Sequence, residues 1–139
     1  MSKGAPQGSL FGPFAYNLFT NDLIILIESL GLADIFNYAD DNTISCYDKS
    51  VDVVTARLTQ VSDVMIQWFK TNFMQANPNK FQLILFGADH VDKSFKINDN
   101  TLSAEPHVSL LGILFDNKLN FSKHIGELCK KKPVENLMD

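Results

Sequence analysis

The chain has 139 residues, 45% of them hydrophobic and 20% charged, including 11 Phe and a single Trp. A mean hydropathy of −0.02, with 7 Gly and 5 Pro, describes one ordinary globular domain and excludes a collagen-like, low-complexity or disordered chain. The formal net charge of −4, from 12 bases and 16 acids, argues against a nucleic-acid interface spread over the whole surface, because phosphate neutralisation supplies most of that affinity.

The first eight residues, Met-Ser-Lys-Gly-Ala-Pro-Gln-Gly, have no apolar core behind the charge and do not read as a signal peptide. Residues 3–13 hold three glycines and two prolines, which predicts a loop of defined shape. From about Pro13 to Ser29, Phe19, Leu23, Leu26 and Leu30 recur at steps of four, three and four. That spacing predicts an amphipathic helix ended by Gly31. The run from Leu23 to Leu32 is broken by Glu28 and Gly31, well short of the roughly 18 apolar residues of a membrane span. Two β-rich stretches, 35–39 and 43–47, flank Asp40-Asp41-Asn42 and predict a hairpin with a polar tip. Val54, Leu58, Val61, Met65 and Trp68 predict a long helix from about Val51 to Met74, with Trp68 in the core. Asn77-Pro78-Asn79 breaks it. Phe81 to Phe86 reads as a short strand stopped by Gly87, and Phe95–Ile97 with Thr101-Leu102 as a small hairpin around Asp99-Asn100. Val108 to Phe115 is a further apolar run, in which Gly112 marks either a tight turn or a bulge. Phe121 to Lys132 closes as a basic helix. This order of elements predicts an α+β fold, an antiparallel sheet with helices packed on one face.

Charge follows the same division. Residues 1–63 carry eight acids and three bases, residues 64–139 eight acids and nine bases. Five lysines from Lys118 to Lys132 stand against Glu127 alone, either a weak nucleic-acid surface or a solvated helix end. Cys46 and Cys129 lie 83 residues apart, have no paired spacing and read as free thiols of a reducing compartment. His90, His107 and His124 show no metal-ligand spacing.

Asp40 and Asp41 are the residues that need explaining. Adjacent like charges at a hairpin tip repel, and no Lys or Arg stands between Lys3 and Lys49. Such a pair is stable when solvated or when a cation neutralises it. Hard divalent ions bind through one or two carboxylates and leave room for phosphate oxygens, whereas Asp and Asn are also ordinary turn residues.

The flanking motifs decide between these readings. Gly4-Ala5-Pro6-Gln7-Gly8-Ser9-Leu10-Phe11-Gly12-Pro13 is followed, 25 residues after Pro13, by Tyr38-Ala39-Asp40-Asp41. Asn17 to Leu23, Asn77 to Lys80, Leu110 to Ile113, then Asp116, Leu119 and His124-Ile125 follow in order. Over about Gly4 to Lys131 the chain resembles reverse transcriptases, and more narrowly the polymerase of non-LTR retrotransposons. The loop resembles that family's motif B, the Asp-Asp hairpin its motif C, Asn77–Lys80 its motif D, and Leu110–Ile113 its primer grip.

The resemblance implies roles for individual residues. Asp40 and Asp41 would be catalytic carboxylates that hold Mg²⁺ or Mn²⁺. Pro6, Gln7, Gly8 and Ser9 would contact template and incoming nucleotide, with Gly8 and Gly12 letting the backbone approach closely. Tyr38 would stand near the primer end or in the core, and Lys80 near the triphosphate or free on the surface. Leu111 and Gly112 would position the primer. Asn17, Asn21 and Asp22 fit either the family pattern or a plain polar helix face. Residues 1–116 would be a partial polymerase palm and 117–139 the start of the thumb. The intact parent would bind RNA template, DNA primer and dNTP inside the cell, in nucleus or cytoplasm, and would need no membrane.

The family also uses a third carboxylate, on motif A upstream of motif B, and no Asp precedes Asp22 here. The fingers would lie upstream as well. The expectation is a truncated or decayed copy that binds metal weakly, exposes a sheet edge beside motif C and is inactive alone. The alternative is a non-catalytic remnant, at most a nucleic-acid-binding or interaction module working through Lys118 to Lys132, or one with no partner.

Overall fold

The computed structural model describes residues 11–87, 94–97 and 100–131. It forms two compact units, Met1–Ala76 and Asn77–Asp139, and the fold is α+β as expected. Among the described residues no helix is long and apolar enough to cross a membrane.

The first unit contains α1 (Phe11–Leu30), β1 (Asp34–Tyr38), β2 (Asp41–Ser45) and α2 (Val51–Thr71). α1 starts two residues before the expected Pro13, which fits because a proline in the first turn gives up an N–H that has no helical acceptor. Gly31, at φ +62°, ends the helix and donates its N–H to the Glu28 carbonyl at 3.0 Å. The buried line is Thr20, Leu23 and Ile27, not the expected Phe19–Leu23–Leu26–Leu30. Phe19 and Leu26 are 43% and 37% exposed. α1 is apolar on most of its circumference, so several stripes satisfy the period and packing chooses among them. Thr20 satisfies its buried hydroxyl by donating to the Tyr16 carbonyl at 3.1 Å.

β1 and β2 pair antiparallel, with Ile35 opposite Ile44 and Asn37 opposite Asn42. Ile35 is buried, while Phe36 and Tyr38 on the other face are exposed. The loop into α2 is fixed by Arg57, which bridges to Asp48 at 3.3 Å and donates to the Tyr47 carbonyl. α2 ends at Thr71 rather than Met74 because Asn72 and Phe73 close its last turn onto Trp68, Phe69 and Lys70 carbonyls. Leu23, Ile27, Ile35, Val61, Trp68 and Phe69 form the core, and the Phe19 ring lies 5.4 Å from that of Trp68. Each such burial contributes about 1.5–3 kcal/mol, enough to hold the hairpin against α1.

The second unit opens with a 3-10 turn, Pro78–Lys80, whose Asn79 N–H is accepted by the Asn77 side chain. Phe81 to Phe86, expected as a strand, is irregular. Among the described residues it is tied to later segments by the Glu105 N–H to the Leu83 carbonyl at 2.8 Å and the Ser109 N–H to Gln82 Oε1 at 2.9 Å. One backbone bond and one side-chain bond make no ladder. β3 (Ser94–Ile97) pairs with β4 (Asn100–Ser103), β5 (His107–Leu110) with β6 (Ile113–Asp116), and α3 (Ser122–Lys131) follows. The expected antiparallel sheet is present as separate two-stranded hairpins, each strand pairing with its neighbour in sequence.

Asp116 organises the turn into α3. Its Oδ1 accepts from the Lys118 and Asn120 N–H groups and its Oδ2 from Phe121 N–H at 2.7 Å. Burial would raise its pKa, but these backbone donors and the nearby His107 outweigh that and hold it below the ordinary 3.8. His124, which entered the sequence reading only as part of the motif run, accepts the Leu114 N–H at Nδ1 (3.3 Å) and ties α3 to β6. The rings of Phe115 and Phe121 meet at 5.6 Å.

Candidate active site

Asp40 and Asp41 sit at the tip of the β1–β2 hairpin because the strands converge on a two-residue loop, Ala39-Asp40, with Tyr38 paired opposite Asp41. Ala39 takes φ 51°, a left-handed conformation that costs a residue with a Cβ roughly 1–2 kcal/mol. Asn42 supports the turn by donating its Nδ2 to the Asp40 carbonyl at 3.2 Å. Both carboxylates are exposed, and neither forms an ion pair with a described residue.

Two exposed adjacent carboxylates without a cationic partner among the described residues fit a hydrated Mg²⁺ or Mn²⁺, which takes few protein ligands and keeps several waters. No group of three or more His, Cys, Asp or Glu side chains converges among the described residues. What is on hand is a pair of hard oxygen ligands rather than a closed cage.

Tyr38 is 67% exposed on the same tip, so it is not the core aromatic that was one of its two sequence readings. Lys80 is exposed at the end of the 3-10 turn, two residues before the Gln82 tie to β5. Leu111 and Gly112 form the two-residue loop between β5 and β6, at φ 50° and 81°. Gly112 is therefore a tight turn rather than a bulge. A Cβ there would meet nothing within 4 Å, so its glycine answers to backbone conformation alone. Asn17, Asn21 and Asp22 are exposed along α1. Pro6, Gln7, Gly8 and Ser9 lie outside the described residues. The structure thus gathers Tyr38, Asp40 and Asp41 on one hairpin of the first unit, while Lys80, Leu111 and Gly112 belong to the second.

Two further neighbours of the carboxylates, Asn37 and Tyr16, had no part in the sequence reading, and Asn42 entered it only as a residue of the polar tip. Asn37 and Asn42 face each other one rung below the tip. Tyr16 is half-buried on α1, and its phenol is raised above the usual 10.0 by burial first and by the Asp40 charge second. The signals were the symmetric spacing of the two asparagines about a two-residue loop, and the line Tyr16–Thr20–Leu23–Ile27 at steps of four, three and four.

The family model for reverse transcriptase (RNA-dependent DNA polymerase) matches residues 1–135, and the chain belongs to that family. RNA-directed DNA polymerases from the mobile element jockey are 28% identical in Drosophila melanogaster and 30% identical in Drosophila funebris, each over 92% of this chain. The Pol polyprotein of the type-1 retrotransposable element R1 of Bradysia coprophila is 27% identical over 94%. These relatives place the chain with non-LTR retrotransposon reverse transcriptases. It spans 14%, 14% and 13% of their lengths, respectively. No solved structure matches it.

Proposed function

We propose that residues 1–116 are the part of a polymerase palm that carries motifs B to E, with 117–139 beginning the thumb. The parent reaction is RNA-templated DNA synthesis: a primer 3′ hydroxyl attacks the α-phosphate of a dNTP, the new phosphodiester forms and pyrophosphate leaves. Its substrates place that work in nucleus or cytoplasm. The observation that carries this reading is the exposed Asp40-Asp41 pair at the hairpin tip, beside the left-handed Ala39 and offered to solvent with no described cation beside it.

Asp40 is the principal and Asp41 the secondary ligand for Mg²⁺ or Mn²⁺. When bound, such an ion supplies charge neutralisation at the reacting phosphate. Pro6, Gln7, Gly8 and Ser9 hold template and nucleotide, and Tyr38 flanks the primer end. Lys80 offers its ammonium to the triphosphate, and the Leu111-Gly112 turn positions the primer backbone. The described residues supply two carboxylates and no third to complete a two-ion site, so affinity for the ion is on the order of millimolar. The 139-residue polypeptide therefore does not extend a primer alone, because positioning is much of what such an enzyme contributes.

The test is radiolabelled dNTP incorporation on a primed RNA template with Mg²⁺ or Mn²⁺, beside Mn²⁺ titration of the chain. No incorporation is expected, with Mn²⁺ binding lost in the Asp40→Ala/Asp41→Ala double variant. Incorporation above that variant would overturn the claim that the chain is inactive alone, and Mn²⁺ binding indifferent to it would sink the metal-site reading. A gel shift with RNA–DNA hybrid at two salt concentrations separates the alternative. Salt-sensitive binding removed by Lys130→Ala/Lys131→Ala/Lys132→Ala would make the C-terminal segment a nucleic-acid contact in its own right.

A further inference from the structure

The side chains of Asn37 and Asn42 share a face of the hairpin with Ile35 and Ile44, since strand residues alternate. That is the face packed on the core stripe of α1. There, Nδ2 and Oδ1 of Asn37 and Oδ1 of Asn42 are buried without a hydrogen-bond partner. Folded proteins satisfy nearly all such atoms, with protein groups or ordered water, because leaving them unpaired is costly. Asn42 has committed its Nδ2 to the Asp40 carbonyl.

Tyr16 continues the stripe of Thr20, Leu23 and Ile27 toward the start of α1. Leu23 and Ile35 share one core cluster. Going from Leu23 to Tyr16 covers about 10 Å of helix, and from Ile35 to Tyr38 about 10 Å of strand. The turn at Gly31 sends β1 back along α1, so that Ile35 meets the core of Leu23 and Ile27; Tyr16 is thereby level with the hairpin tip, where Asp40 is the charge felt at its phenol.

We infer that Tyr16 is a positioning residue for Asp40: its hydroxyl and the amides of Asn37 and Asn42 close a water-bridged network beneath the tip that fixes the carboxylate's direction. Phenylalanine would fill the same volume and could not do this. Polar contacts too long for a direct bond are commonly joined by one ordered water. The use of a fixed Asp40 rests on its proposed role as a metal ligand; the network itself does not.

The experiment is NMR on the isotope-labelled chain, reading the Asp40 χ1 rotamer from three-bond couplings. One dominant rotamer is expected in the native chain and averaging in Tyr16→Phe, with the methyl signals of Leu23 and Ile27 unmoved. Couplings that do not change in Tyr16→Phe, or that are already averaged in the native chain, overturn the inference. Asn37→Leu gives an independent check. If the network exists, this variant melts lower and frees Asp40; if the amide is truly orphaned, it melts higher with Asp40 unchanged, which also overturns it. In a separate arm, Mn²⁺ should broaden the Asp40 and Asp41 signals, and Tyr16→Phe should weaken that binding by roughly two- to ten-fold, the worth of one hydrogen bond. Broadening equally strong in Tyr16→Phe counts against the positioning role. Absence of broadening in the native chain removes the metal reading and leaves the rotamer result to stand alone.

Discussion

At Asp116 one carboxylate accepts from three backbone N–H groups across a loop that holds Leu119 and Phe121 at φ 55° and 57°. Because its pKa is lowered in the folded chain, its contribution is fully present above the unfolded value near 3.8 and is lost as pH falls through the folded value. Acid titration followed at the Lys118, Asn120 and Phe121 amides should show this loss below pH 3.8, and Asp116→Asn should abolish it; an identical titration in the variant would refute the assignment. The Leu111-Gly112 turn gives a second test at this scale. Gly112→Ala meets no steric neighbour, so its cost is the left-handed backbone alone, about 1 kcal/mol in urea unfolding. A much larger loss would mean a contact at the turn beyond the backbone itself. Thiol chemistry gives a third. Burial pushes the Cys46 thiol up, with partial relief from Arg57, whereas Cys129 stands exposed on α3. Mass-spectrometric mapping of iodoacetamide labelling near pH 8 should find Cys129 modified first.

The elements show how far periodicity carries. α2 was legible because Val61 and Trp68 alternate with charged and polar positions, leaving one apolar face. α1 has leucine, isoleucine or phenylalanine on most sides, so its helix was legible but its buried face was not. The β1–β2 hairpin was legible from its polar residues, although its loop is Ala39-Asp40 and Asp41-Asn42 belong to β2, whereas Gly112 alone left a turn and a bulge equally open. Phe81–Phe86 was misread because an apolar run specifies burial, whereas a strand also needs a partner ladder, and Gln82 and Leu83 find single bonds instead. Of the site, the carboxylates and their flanking tyrosine were legible from contiguous sequence. Tyr16 was not, since its relation to Asp40 exists only after α1 packs on the hairpin. That packing has a measurable weight. Leu23 is fully buried, and Leu23→Ala should cost about 2–5 kcal/mol in urea unfolding monitored by Trp68 fluorescence. A cost within error of zero would mean the α1 stripe is misassigned.

For the whole molecule, the consequence is exposed apolar surface. Phe11, Phe14, Leu18 and Ile25 are 58–68% exposed along α1, and among the described residues each hairpin stands as a two-stranded sheet with open edges. Open edges and apolar faces invite pairing with other chains, which a net charge of −4 opposes weakly. Sedimentation velocity at rising concentration should show reversible or growing association; a single monomeric boundary throughout would contradict this.

The β1–β2 hairpin is two strands wide, and such a hairpin is marginal in water without something to lie against. Its fixity is borrowed from Leu23, Ile27 and Val61. In a randomised library scored for ion capture at Asp40 and Asp41, the damaging hits would not crowd around the two acids. They would scatter along α1 and α2, making the vulnerable target many times wider than the pair of carboxylates it protects.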